Sequence, residues 1–165
     1  MIKRIASLAL ALVCLIALAA PSMAEVYTSP SGLYSIDLPD DAGFTASLED
    51  GTDTYRISDM CFFQVLTQPL EGELTMEFLA ENSYLMDSVM TAQFSEALGI
   101  SADDITFNGV LPFGENLFYS LSINLYGIIT MDSCTTMING NQFVFSFMNV
   151  DPAMIEAILT SFRAL

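Results

Sequence analysis

The sequence predicts an α+β domain in which antiparallel strands form one group and the helices stand apart from them. Three observations carry this. Four strand-like runs follow one another between residues 105 and 148, joined by short breaks, after a long stretch of helical periodicity. Asn139-Gly140 lies between the last two runs, and a two-residue Asn-Gly link fits a hairpin because both turn positions take positive φ. The chain closes on Asp151-Pro152, an N-cap followed by proline at the first helical position, ahead of an apolar stripe of Met154, Ile155, Ile158, Leu159 and Phe162. Strands grouped apart from helices indicate layered α+β architecture rather than alternating βαβ units.

Residues 1–24 read as a secretory signal. Lys3 and Arg4 precede an apolar run from Ile5 to Ala20, Pro21 breaks the helix, and Ser22 and Ala24 are the small residues that a signal peptidase needs before a cut after Ala24. The run is 16 residues long. That is short of the ~20 that a spanning helix requires. Cys14 follows Val13 deep inside the run, so a lipidation site at the cut is not expected. Cleavage leaves 141 of the 165 residues, enough for one domain over 25–165 and too few for a second. After cleavage no segment is long enough for membrane insertion.

The segment Val26 to Pro39 places Pro30-Ser31-Gly32 between two short alternating stretches, which predicts a hairpin. Residues 40–53 are acidic and rich in turn formers, and predict a loop with at most a brief strand. Met60 to Leu66 is a short apolar run bounded by turn residues, which predicts a buried strand. Phe78, Leu79, Met86, Val89, Met90, Phe94 and Leu98 then recur at three- and four-residue steps, predicting one amphipathic helix from Thr75 to Leu98, stopped by Gly99. The four later strands span about 105–110, 117–126, 128–138 and 142–148. In the second, Leu117, Tyr119, Leu121, Ile123 and Leu125 alternate with Ser120, Ser122 and Asn124, as in a strand buried on one face and polar on the other. Phe143, Phe145 and Phe147 put an aromatic ring on every second position, a core-packing pattern.

Composition narrows the function. Once the signal is removed, the only cations are Arg56 and Arg163, set against 20 acidic residues for a net charge of −18, and there is no histidine or lysine. Nucleic acid and anionic membrane surfaces are bound by basic side chains that displace counterions, so neither is expected as a partner. The apolar content and twelve phenylalanines supply a core, so the charge marks a soluble surface rather than disorder. Serine or cysteine catalysis through an imidazole, lysine Schiff bases and lysine-gripped phosphates are excluded by the missing residue types.

The entry Tyr27 to Pro39, the single long helical stretch, the antiparallel meander and the closing Ile158-Leu159-Thr160-Ser161-Phe162 together resemble the PsbP-like (Mog-like) superfamily, and the likeness spans nearly all of residues 25–165. The resemblance implies an antiparallel sheet with helices packed on both faces, an αβα sandwich. It implies little about activity, because that superfamily includes photosystem accessory subunits, a nuclear transport factor and many bacterial exported proteins.

Several chemistries stay open. Calcium takes clustered carboxylates without nitrogen donors, and Asp40, Asp41, Glu49, Asp50, Asp53, Asp103 and Asp104 form the acidic clusters, although none matches a twelve-residue calcium loop. Two carboxylates could serve a hydrolase if placed ~5–10 Å apart. An aspartic-protease loop is not present, since Asp50-Gly51-Thr52 reverses the required order and Asp132-Ser133-Cys134 lacks the glycine. Eight methionines remain after cleavage and could hold copper(I), but most fit core stripes. Cys61 and Cys134 permit one disulfide in an exported chain, and equally could remain buried thiols. The expectation is a non-enzymatic accessory or binding domain, secreted or periplasmic, that needs no cofactor and engages a protein or another component of the envelope. A calcium-binding protein and a carboxylate-dependent hydrolase are the alternatives.

Overall fold

The computed structural model describes residues 25–38, 43–70, 72 and 74–165. The expected signal at 1–24 lies outside them, as do Asp40 and Asp41. In chain order the strands are β1 (Glu25–Thr28), β2 (Tyr34–Leu38), β3 (Thr45–Glu49), β4 (Thr52–Ser58), β5 (Cys61–Pro69), β6 (Ile105–Phe113), β7 (Asn116–Leu125), β8 (Ile129–Ile138), β9 (Asn141–Met148) and β10 (Arg163–Ala164). Helix α1 (Met76–Glu81) and helix α2 (Ser83–Leu98) follow β5, and α3 (Pro152–Ser161) follows β9. The strands make two sheets, one of three in the order β1-β2-β10 and one of seven in the order β3-β4-β5-β9-β8-β7-β6. Every pairing is antiparallel. The domain is therefore α+β, with helices against both faces of the large sheet.

Strand alternation decides what each face of the large sheet carries. In β9, Phe143, Phe145 and Phe147 are at most 1% exposed and turn to the face covered by α3 and the small sheet. Phe162, just past α3, sits among them with ring centroids 5.1 Å from Phe143, 5.2 Å from Phe145 and 6.0 Å from Phe118. Tyr55 of β4 stacks on Phe63 of β5 at 4.4 Å. The Ser161 hydroxyl donates to the Ile158 carbonyl and accepts from the Asp37 amide at 2.8 Å, which ties α3 to β2. A Cβ on Gly114, which has φ +60°, would collide with the Thr160 carbonyl oxygen, so the β6–β7 turn needs glycine where α3 ends against it.

The opposite face is covered over β6, β7 and part of β8. Met76 and Leu79 of α1 pack there with Ile100, Ile105, Tyr119, Leu121 and Ile123, and Met86, Met90 and Phe94 of α2 pack more loosely against them. β7 is buried on both faces at its centre, because Phe118 and Ser120 point into the aromatic core while Tyr119 and Leu121 point to the helices. This corrects the expectation of a polar outer face for that strand.

Two further expectations are corrected. The single helix from Thr75 to Leu98 is two helices, because Asn82 leaves helical geometry at φ −126°, with its backbone N–H and its side-chain amide both donating to the Phe78 carbonyl at 3.0 and 2.9 Å as the C-cap of α1. Thr75 caps α1 and Gly99 ends α2 in the left-handed conformation, so both predicted ends hold. Phe78, Val89 and Leu98, placed in the buried stripe by periodicity, lie on the exposed side. The expected loop at 40–53 contains instead a hairpin of β3 and β4, turned at Asp50 and Gly51 with φ of +49° and +81°.

Candidate functional site

Of the acidic clusters, those at 49–53 and 103–104 lie among the described residues. Glu49 pairs across β3 and β4 with Thr52, whereas Asp53 pairs with Leu48, so the Glu49 and Asp53 side chains leave opposite faces of the hairpin. Asp50 occupies the turn between them. Asp104 is engaged locally, accepting from the Ser101 amide at 3.1 Å, while the Ser101 hydroxyl accepts from the Asp103 amide at 3.3 Å. Among the described residues no group of three or more His, Cys, Asp or Glu side chains is placed to hold a metal ion.

Asp53 is the one carboxylate buried among the described residues, at 1% exposure. Its two oxygens accept from the amide and the hydroxyl of Ser31 at 2.8 and 2.6 Å. Beside it the Ser29 hydroxyl meets that of Ser31 at 3.1 Å and accepts from the Leu33 and Tyr34 amides. The hydroxyls of Tyr34 and Tyr55 meet at 3.0 Å. Burial pushes both phenols well above their ordinary range; Tyr55 and then Asp53 raise Tyr34 further, and Asp53 and Tyr27 raise Tyr55 while its bond to Tyr34 offsets part of that. The Ser29-Pro30-Ser31-Gly32 turn, legible as a hairpin signal, is thus clamped onto β4 by a carboxylate. Both Asp53 oxygens accept from Ser31 and both phenols are held protonated, so the arrangement ties β4 to the turn that leads into the small sheet.

Cys61 and Cys134 are separate thiols. Cys134 lies opposite Phe145, Phe145 lies opposite Val65, and Cys61 is four residues along from Val65. Two strand spacings and four residues of rise put their Cα atoms roughly 16 Å apart, beyond the ~7 Å limit for a disulfide. The structure therefore does not bring together the pair that the sequence permitted. Burial, with Asp132 nearby, pushes the Cys134 thiol up to about 11, although its contact with the Ser120 hydroxyl acts the other way. It stays protonated at neutral pH and is a poor nucleophile.

Three surface features remain. A cleft of about 450 Å³ runs between α1 and the β6–β7 and β8–β9 turns, lined by Leu74, Met76, Glu77, Glu115, Asn116 and Met137 among others. On the helix face of the large sheet over β3, β4, β5 and β9, Ser47, Thr54, Gln64 and Ser146 stand side by side in register, with Thr54 buried and the other three half-buried. The third feature is α2, none of whose residues is buried. Its sheet side carries Met86, Met90 and Phe94, and its outer side exposes Tyr84 (64%), Leu85 (47%) and Val89 (51%). Periodicity missed this outer side. The signal was nevertheless present, since Tyr84, Leu85 and Ala92 fall outside the predicted stripe and are not polar.

No protein-family model and no curated protein sequence matches the chain. Solved structures match its fold. Cyanobacterial PsbP from Synechocystis sp. PCC 6803 superposes with a TM-score of 0.59 at 12% identity, over 89% of this chain and 95% of that one. The Ran-binding protein Mog1p of Saccharomyces cerevisiae gives 0.56 at 8% identity, over 87% of this chain and 96% of that one. A crystal structure from Bacteroides thetaiotaomicron VPI-5482 gives 0.56 at 13% identity over 87% of this chain and 49% of its own, so the chain spans about half the length of that protein. At the level of fold the chain matches PsbP and Mog1p, as the resemblance in element order implied.

Proposed function

We propose that this chain, with its PsbP-like fold, is an exported, non-enzymatic domain that works by binding a partner in the cell envelope or beyond it. The observation that carries the reading is the outer side of α2, where Tyr84, Leu85 and Val89 are left in water by a protein that buries its other long apolar stripes. The chemistry of the described residues supports it. The one buried carboxylate is consumed in holding a turn, the buried phenols and thiol are held protonated, and no imidazole exists to activate a nucleophile. Export rests on the tripartite pattern of residues 1–24. The fold is shared with a protein named for binding Ran, so in that protein it serves recognition.

The test is affinity capture from the native envelope fraction and culture medium, with residues 25–165 as bait and quantitative mass spectrometry as readout. The expected result is selective enrichment of one or a few components over an equally acidic control protein. No enrichment, together with turnover of a glycan or peptide substrate, would overturn the reading in favour of a hydrolase.

A further inference from the structure

We infer that the outer face of α2 docks a cationic, amphipathic segment of a partner protein. The inference rests on the reading of this chain as a binding domain and assigns that reading a surface. A helix apolar on one side covers a core and shows its polar side to water. On α2 the side turned from the sheet is mixed, with Tyr84, Leu85 and Val89 exposed there beside polar Ser88 and Glu96. Leu85 and Val89 stand four residues apart on the same outer stripe, Tyr84 adjoins them, and Ala92 continues the line. At the helix end the Tyr126 hydroxyl reaches the Leu98 carbonyl at 3.4 Å, and Tyr126 and Ile128 are 75% and 82% exposed. Isolated apolar side chains on a surface mean little, but Leu85, Val89 and Ala92, adjoining over two turns of the helix with Tyr84 beside them, make one patch.

Charge selects the occupant. Residues 76–104 contain Glu77, Glu81, Asp87, Glu96, Asp103 and Asp104 and no basic residue. Asp87 accepts from the Tyr119 hydroxyl at 2.7 Å, while Glu77, Glu81, Glu96 and Asp103 are exposed, Glu96 one turn past Ala92 on the same side of α2. A segment that lays an apolar stripe on Leu85 and Val89 meets this acidic stretch, and lysine or arginine on its flanks gains attraction where any acid would be repelled. A second copy would bring the same carboxylates against themselves and a further −18 of charge.

The probe is an 18-residue helical peptide with one leucine face and one lysine face, titrated calorimetrically at physiological salt, beside a peptide with glutamine in place of leucine. The wild-type domain is expected to bind the leucine peptide at least about tenfold more tightly than the glutamine peptide. The double substitution Leu85→Glu/Val89→Glu removes apolar surface but adds two negative charges. Docking on α2 predicts about tenfold weaker binding in that variant, and in Leu85→Gln/Val89→Gln as well. Equal or tighter binding by the glutamate variant would mean charge attraction alone and would overturn the inference. So would a wild-type dimer in sedimentation that these substitutions dissolve, because the occupant would then be a second copy. Envelope capture that succeeds equally with wild type and the glutamate variant would leave the binding reading standing and remove α2 as its surface.

Discussion

The two faces of the seven-stranded sheet are built differently. Against α3 and the small sheet, aromatic rings interlock from four strands and both covering layers, and Tyr34, Tyr55, Phe63, Phe118, Phe145 and Phe147 show no exposed surface. Against α1 and α2 the contacts come from flexible methionines, cover fewer strands, and leave the longest helix with no buried residue. Dense packing of rigid rings specifies one arrangement, whereas a loosely seated helix has little to lose if its other side meets something new. The difference teaches that the two faces contribute unequally to stability.

The largest effect is expected on the aromatic face. Phe145→Ala leaves a cavity among Tyr34, Phe118, Phe147 and Phe162 and should cost about 3–5 kcal/mol in denaturant unfolding. Asp53→Ala strands the amide and hydroxyl of Ser31, and a loss of about 1–3 kcal/mol is expected. Part of the alkaline limit follows from the same face, and part from Tyr119 on the other, whose phenol is also raised by burial and by Asp87. Tyr34 and Tyr55 are raised above the ordinary value of 10, so the folded protein keeps protons that the unfolded chain releases; the stability from their protonated forms is complete below pH 10 and falls as pH rises above it. Melting temperatures between pH 8 and 11.5 check this, and a flat profile would mean that the phenols are not shut away. The smallest effect belongs to the other face, where Leu85→Glu/Val89→Glu should change stability by no more than about 0.5 kcal/mol. A loss comparable with that of Phe145→Ala would erase the contrast between the faces.

Much of the aromatic face was legible. Alternating Phe143, Phe145 and Phe147, the Asn139-Gly140 turn with φ of +52° and +75°, and the Asp151-Pro152 helix start are local signals whose physics does not depend on distant partners. The face built on α1 and α2 was misread for a physical reason. Where apolar residues lie on all sides of a helix, a periodic stripe can be drawn in more than one direction, so Val89 was taken as core while Met86, Met90 and Phe94 do the packing. Asn82 ends α1 by leaving helical dihedrals, a local cap that periodicity does not register. β4 was hidden because its Asp53 looks like a loop acid, and only the distant Ser31 explains why a carboxylate is buried in a strand. Strand pairing places Glu49 and Asp53 on opposite faces of the β3–β4 hairpin, which composition cannot reveal.

The separation of the faces is tested most directly by native-state amide hydrogen exchange read along a denaturant series. Amides of β9 (Asn141–Met148) should exchange only with global unfolding, and those of α2 (Ser83–Leu98) through a local opening of much lower free energy. Protection of α2 equal to that of β9 would contradict the account, because the helix would then be as firmly part of the core as the strands beneath it.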